Sequence, residues 1–257
     1  MDLFLTDKHV LITGSSKGIG FVIAEAFLKE GAKVCINSRN SDELSSVYKS
    51  FKEKYGSEKI IKFSTDISKK ENLLKLRSYI FEEWGELDIV ISNVGIGSGS
   101  SAAIPDSLEW SESWDSNFTS AYLTTETFLE DLKDTKGSLI YISSIAGIES
   151  IGAPTHYSVA KSAILALSKN ISKKLSDTVR VNVVAPGNIY FKGGTWHQKI
   201  LSNENEVKEY IGRTVPMNRL GDPEDISNVV LFLSSKKAKF ITGSVITVDG
   251  GQTSGIF

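Results

Sequence analysis

Tyr157 and Lys161 stand four residues apart, so on a helix both side chains point to the same side. Such a pair can move a proton near neutral pH. A lone tyrosine is a poor acid or base there, because its phenol titrates near ~10. A lysine held beside it, helped by a cationic partner, favours the phenolate and lowers that value. The chemistry this suits is transfer of a proton to or from an oxygen while hydride moves at the attached carbon. A hydride needs a carrier, and the turn Thr13-Gly14-Ser15-Ser16-Lys17-Gly18-Ile19-Gly20 has the makings of a nucleotide cradle. Gly14 suits a sharp turn, Gly18 a close approach of backbone to a pyrophosphate, and Gly20 tight packing of helix on strand. The helix N-terminus then faces the anion with free N–H groups and the positive end of its dipole.

The elements that would hold these residues alternate regularly. Strands are expected at 9–13, 34–36, 60–63, 87–91, 138–142, 179–184 and 245–248, as short β-branched runs. Helices are expected at 19–30, 41–55, 69–84, 112–133 and 157–175, where apolar residues recur at helical spacing. This βαβ repetition predicts an α/β fold: a doubly wound parallel sheet of about seven strands with helices on both faces, in a single domain over 1–257. The glycine turn falls between the first strand and first helix, which is the context that gives it meaning. The stretch 187–222 breaks the rhythm and is too long for an ordinary connection. Residues 188–214 are read as a substrate lid.

The T-G-x-x-x-G-I-G spacing, followed by Asp66-Ile67, Ser92-Asn93-Val94-Gly95, Ser143-Ser144, Tyr157-Ser158-Val159-Ala160-Lys161, Asn182-Val183-Val184-Ala185-Pro186-Gly187 and Val248-Asp249-Gly250-Gly251, resembles the short-chain dehydrogenase/reductase family. The resemblance runs from Lys8 to about Thr253. It implies a Rossmann fold and an NADP(H)- or NAD(H)-dependent oxidoreductase interconverting a carbonyl and a secondary alcohol. It also implies the catalytic set Asn117, Ser144, Tyr157 and Lys161. Ser144, 13 residues before Tyr157, would polarise the substrate oxygen, whereas Ser143 would face away, as neighbours on a strand do. Asn117 would support a proton-relay water to Lys161. Gly14, Ser16, Lys17, Gly18, Ile19 and Gly20 would cradle the pyrophosphate, Asp66 and Ile67 would bracket the adenine, and Asn93 and Gly95 would sit by the nicotinamide ribose with Tyr157 and Lys161. The run Pro186, Gly187, Asn188 and Ile189 would reach the carboxamide. One position departs from the family pattern: Phe191 stands where a threonine often holds the cofactor, and Thr195 is a candidate substitute.

By the same comparison, Ser38 occupies the place at the end of the second strand where an NAD enzyme carries aspartate, and Arg39 follows it. Lys17 can reach the same region. Two cations and no carboxylate suit a 2′-phosphate, which predicts NADPH/NADP+ with NAD(H) as the alternative.

Composition narrows the partners. Net charge is -2, from 29 basic and 31 acidic residues, which gives no field for holding nucleic acid. No apolar run approaches the ~20 residues of a membrane span. The single cysteine, Cys35, cannot form an internal disulfide and is read as core. A cytoplasmic protein is expected, and the resemblance implies a homotetramer or homodimer. His156 and His197 belong to no metal-ligand cluster and are read as structural. For the substrate, the long connection Gly95 to Trp114, with Gly97-Ser98-Gly99-Ser100-Ser101, and a lid carrying Tyr190, Phe191, Trp196 and His197, aromatics that could equally pack beneath it as core, suggest a pocket for a small polar or sugar-like ketone. The alternative is a 3-oxoacyl-[acyl-carrier-protein] reductase. The two positions where its relatives present basic residues to an acidic carrier are Thr135 and Asp177 here, although Lys133 and Lys136 lie close by. A catalytically silent cofactor sensor is a third reading, disfavoured by the retention of Tyr157 and Lys161.

Overall fold

Successive residues of each inner strand send their side chains to opposite faces, and in this chain both faces are apolar. In the computed structural model, which describes residues 2–100, 102–175 and 177–255, Val10, Ile12, Val34, Ile36, Ile89 and Ile91 point into one core. Leu11, Cys35, Val90, Leu139 and Tyr141 point into the other. Such strands can be stable only between two layers of helix. The first core is closed by α1 (Gly18–Lys29), α2 (Ser41–Tyr55) and α9 (Pro223–Ser234) through Ile23, Phe27, Leu44, Phe51, Ile226 and Val230. The second is closed by α3 (Lys70–Trp84), α5 (Ser120–Thr135) and α6 (Thr155–Lys174) through Leu73, Leu76, Phe128, Leu132 and Ile164. Cys35 is buried there, and burial pushes its thiol up, away from reactivity.

The strands are β1 (His9–Ile12), β2 (Lys33–Ser38), β3 (Ile60–Ser64), β4 (Ile89–Ser92), β5 (Ser138–Ile142), β6 (Arg180–Pro186) and β7 (Val245–Val248). They form one parallel sheet in the order β3-β2-β1-β4-β5-β6-β7. This is the doubly wound arrangement expected from the sequence. The chain winds outward on one side of β1 and then returns to pair β4 on the other, with Leu11 opposite Val90. At that switch point the loops leaving β1 and β4 diverge and leave a crevice beyond the strand ends.

Three expectations need correction. The helix expected over 112–133 is broken by a π-helical turn at Asp115–Thr119, which joins α4 (Ser107–Trp114) to α5. The stretch 187–222 is largely helical, with α7 (Thr195–Ser202) and α8 (Glu204–Thr214) sharing a small core of Val207, Ile211, Val215, Trp196 and Tyr210. Its base is closed by a bridge between Ile189 and Gly221, where Tyr190 N–H donates to the Gly221 carbonyl at 2.8 Å. Finally, α9 fills a segment for which the sequence reading gives no element. Pro223 opens it and an Asp222–Asp225 capping box fixes its start. Ser101, the last residue of the glycine–serine stretch, lies outside the described residues. No described helix is long and apolar enough to cross a membrane.

Candidate active site

The crevice at the switch point is a cleft of about 1120 Å³. It runs from Ser38 and Arg39 at one end, over the glycine turn, to Tyr157 and the lid at the other. Every residue expected to bind the cofactor lines it: Gly14, Ser16, Lys17, Gly18, Ile19, Gly20, Ser38, Arg39, Asp66, Ile67, Asn93, Gly95, Tyr157, Lys161, Pro186, Gly187 and Ile189. Ser144 does too. Asn117 does not, and is completely buried behind the wall.

The floor is built for close approach. A Cβ on Gly20 would collide with the Gly14 carbonyl and stand 2.5 Å from Asn93 Nδ2. Asn93 Nδ2 in turn donates to the Thr13 and Gly14 carbonyls at 3.1 and 3.0 Å, tying the turn after β4 to the turn after β1. Gly18 adopts a φ of +58, in the left-handed region that favours glycine. The N-cap of α1 is Lys17, whose side chain makes no capping bond. The first N–H groups of α1 therefore open onto the cleft without a side-chain cap, the arrangement that receives a phosphate. Asn188 Nδ2, on the cleft wall, is a buried donor lacking a partner among the described residues. A pyrophosphate at the helix terminus and an amide oxygen at Asn188 both match the donors present, so a nicotinamide dinucleotide fits this site.

At the end where the adenosine is expected, the strand end carries no acid, but a carboxylate from the next helix also borders the cleft. Glu43, in the first turn of α2, borders the cleft, and Ser16 Oγ donates to its Oε2 at 3.3 Å and to Ser38 Oγ at 3.0 Å. Lys17 and Arg39 are exposed there. Burial pushes the Asp66 carboxyl up, but hydrogen bonds from Ser68 and the Arg39 and Lys69 charges outweigh it and hold Asp66 below the usual range.

At the other end α6 delivers Tyr157 and Lys161 on one face, with the ammonium 5.7 Å from the Tyr157 ring centroid. A tight turn after β5 brings Ser144 to them. Its backbone runs so near α6 that a Cβ on Gly147 would lie 2.7 Å from the Lys161 carbonyl carbon. Ser144 Oγ accepts from Ala146 N–H at 3.1 Å, whereas Ser143 Oγ is turned to the Lys161 carbonyl at 2.9 Å. Lys161 Nζ donates to the Ile142 carbonyl at 3.2 Å. Burial pushes the ammonium down to about 8. Burial also pushes the Tyr157 phenol up, and interaction with the Ser144 hydroxyl only partly offsets that. In the protein alone burial therefore dominates at Tyr157, and the expected lowering belongs to the state in which Lys161 acts together with a positively charged cofactor ring.

Asn117 sits in the π-helical turn, where the extra residue bulges its side chain inward. Its Nδ2 donates to the Ile96 and Ser113 carbonyls at 3.1 and 2.9 Å, and its Oδ1 accepts from Ile96 N–H at 3.1 Å. Gly95 passes between Asn117 and Lys161, since a Cβ there would stand 2.6 Å from Lys161 Nζ and 2.7 Å from Asn117 Oδ1.

The segment 188–214 bears the departure seen in the sequence. The Phe191 ring lies over the glycine turn, so close that a Cβ on Gly18 would meet it at 2.8 Å. Thr195 lines the same cleft at the start of α7. Trp196 and Tyr210, 5.4 Å apart between centroids, serve the lid core and the cleft wall together. His197 accepts from Gly193 N–H through Nδ1 at 3.2 Å, a structural role. The sequence reading missed Glu43, Glu112, Asp115, Lys199 and Tyr210 on the cleft wall. Only Glu43 carried a local signal, as the third helical residue after the Asn40 cap beyond β2.

Comparison with known proteins bears on this arrangement. A family model described as enoyl-(acyl carrier protein) reductase matches residues 14–253. A 3-oxoacyl-[acyl-carrier-protein] reductase of Chlamydia muridarum is 36% identical over 254 residues, covering 98% of this chain and 100% of the relative. A 3alpha-hydroxysteroid dehydrogenase of Mediterraneibacter gnavus is 28% identical over 256 residues, 99% of this chain and 100% of the relative. Among solved structures, L-sorbose reductase from Gluconobacter frateurii complexed with NADPH and L-sorbose superposes with a TM-score of 0.93 at 28% identity, covering 100% of both chains.

Proposed function

The chain belongs to the short-chain dehydrogenase/reductase family, and from that premise we propose that it is an NADP(H)-dependent oxidoreductase that interconverts a small polar or sugar-like ketone and its secondary alcohol. The observation that carries this is the convergence of Ser144, Tyr157 and Lys161 at one end of a cleft that passes over the uncapped N-terminus of α1. When bound, the dihydronicotinamide supplies the hydride. Tyr157 Oη gives the proton to the carbonyl oxygen and Ser144 Oγ donates a hydrogen bond to the same oxygen, opposing the charge that develops on it. Lys161 holds positive charge beside the phenol, and with a positive oxidised ring nearby the phenolate is favoured for the reverse direction. Asn117, through its grip on Ile96, shapes the wall behind Gly95.

The preference for NADP(H) rests on Lys17 and Arg39, exposed at the adenosine end with no aspartate at position 38, and agrees with the NADPH carried by the L-sorbose reductase structure. Glu43 tempers that preference. Arg39→Asp is expected to weaken NADPH binding about tenfold or more, the loss of one charge-assisted phosphate contact. Glu43→Gln is expected to tighten it while leaving NADH binding unchanged, as read by titrating the fluorescence of each reduced cofactor.

The polar substrate is supported by the walls beyond Tyr157. Ser98, Glu112, Asp115, Ser116 and Lys199 offer hydrogen-bonding groups there, set among apolar neighbours such as Ile151, Pro154 and Trp196. A second reading, an acyl-carrier-protein-linked 3-oxoacyl reductase, is favoured by the Chlamydia relative. Against it, Lys133 is engaged by Glu130 at 2.7 Å, and Thr135 Oγ1 is turned inward to the Leu87 carbonyl at 2.9 Å. A panel of ketoses, simple ketones and acyl thioesters, run with NADPH and NADH side by side, separates the two. Turnover of ketoses with NADPH supports the first reading, and turnover of acyl thioesters alone replaces it with the second.

A further inference from the structure

The helix that carries Tyr157 starts behind Pro154, whose side chain cannot cap it. The first N–H groups of a helix need partners from elsewhere. For Tyr157 that partner is the ring of its neighbour: its backbone N–H donates to His156 Nδ1 at 2.9 Å. An Nδ1 that accepts places the imidazole proton on Nε2. Nε2 stands 3.2 Å from Glu109 Oε1, so it donates to that carboxylate. The same Oε1 accepts the backbone N–H of Ser100. Glu109 is itself held in the first turn of α4, which Asp106 caps by accepting from Leu108 and Glu109 N–H at 3.0 and 2.9 Å.

Three pieces of chain are thereby joined at one carboxylate: the start of α4, the start of α6, and the segment 95–100 between β4 and α4. His156 is only 2% exposed. The segment runs so close that a Cβ on Gly99 would meet the imidazole at 2.5 Å, while a Cβ on Gly97 would lie 3.5 Å from Tyr157 Cζ. The glycine at 99 lets backbone lie where a side chain would hold it off. Neither Glu109 nor His156 lines the cleft.

We propose that Glu109 and His156 form a positioning clamp that presses the 95–100 segment onto Tyr157 and so forms the roof of the carbonyl subsite. Neither residue touches the substrate. His156 ties the backbone of Tyr157 to Glu109, and Glu109 ties both to Ser100. The clamp sets the distance between the roof and the phenol and excludes water from the place where the proton moves. This rests on the reading of Tyr157 as the proton donor.

The test is steady-state kinetics of Glu109→Ala, Glu109→Gln, His156→Ala and the double alanine variant, on a ketone that the parent enzyme reduces. NADPH binding and thermal unfolding are followed in parallel. Glu109→Ala is expected to raise KM for the ketone about tenfold with a smaller fall in kcat, and to leave the NADPH Kd within about twofold. Glu109→Gln keeps an acceptor oxygen for both N–H donors and is expected to restore KM to within about threefold of the parent. The double variant is expected to be no worse than the poorer single, because the two residues act as a unit.

An unmoved KM in Glu109→Ala, a Gln variant as impaired as the Ala variant, or additive losses would each overturn the clamp. If His156→Ala does not fold, the two Glu109 variants decide alone, since Glu109 is partly exposed. Failure of the underlying reading looks different. A Tyr157→Phe variant as active as the parent would remove the proton donor itself, whereas an inactive Tyr157→Phe with an unmoved KM in Glu109→Ala overturns only the clamp.

Discussion

Replacing Tyr157 by phenylalanine is expected to lower kcat for ketone reduction by about a hundred- to ten-thousand-fold while leaving NADPH affinity within about twofold. The change removes one oxygen and keeps the ring, so the packing of α6 and of the segment through Gly97 is preserved. It takes away the only phenol beside Ser144 and Lys161 among the residues lining this end of the cleft. Lys161 Nζ, held by the Ile142 carbonyl, stays in place to meet the cofactor. Loss of chemistry with retained binding is the signature of a group needed only in the transition state. The measurement is single-turnover oxidation of NADPH together with a direct binding titration.

Lys161→Met is expected to abolish turnover and at the same time to stabilise the cofactor-free protein at pH 7. Lys161 is 3% exposed, and burial alone pushes its pKa from 10.5 down to about 8. A displacement of that size corresponds to roughly 3 kcal/mol held against the charged form. Methionine is of similar length and removes that penalty, while the lost hydrogen bond to the Ile142 carbonyl gives back about 1 kcal/mol. The net gain raises the melting temperature by roughly 5 °C in a chain of this length. The pH dependence carries the sign. Between about pH 8 and 10.5 the unfolded chain keeps the Lys161 proton and the folded one has released it, so parental stability from this group rises with pH across that window. Below about pH 8 the penalty is fully present. The methionine variant lacks the rise, so its advantage shrinks as pH approaches 10, which thermal unfolding across pH 7–10 reads directly.

The two effects pull apart because Lys161 serves the site at the expense of the fold, and this explains what the sequence could and could not reveal. Elements fixed by local pattern were legible. Strands 138–142 and 245–248 and helix 41–55 fall where expected, because each is bounded by its own turn or cap residues and carries the β-branched or helical apolar pattern of its type. The relative order of Gly14, Ser144, Tyr157 and Lys161 was legible too, since their spacing along the chain carries it. What depends on tertiary juxtaposition was not. Glu43 reaches the adenosine end only because α2 starts immediately beyond β2, and Glu109 meets His156 across 47 residues of sequence. In the sequence His156 looked like a bystander beside Tyr157, and its neighbour's N–H was invisible. The helices of the 188–214 segment escaped notice because their apolar face is short and is completed by Tyr210, to which the sequence reading gave no role, packed with Trp196. The helix Pro223–Ser234 did carry a signal in Asp222-Pro223-Glu224-Asp225, but it follows so closely on the lid that the two merge in one long irregular stretch.

The π-helical turn at Asp115–Thr119 has a consequence for how the chain tolerates changes in its own length. Such a turn holds one residue more than an α-turn over the same stretch of axis. Losing any one residue between 115 and 119 would let a plain α-helix form there, a locally favourable change. It would also turn everything before it by about 100° about the helix axis relative to α5. Asn117 would leave Ile96, and Glu109 would swing away from His156. A one-residue deletion at 102–104, in the exposed bends before the buried Pro105, would cost only slack. Within one connection, then, the chain carries five positions whose number is fixed, whatever residues fill most of them, next to a stretch where length is free.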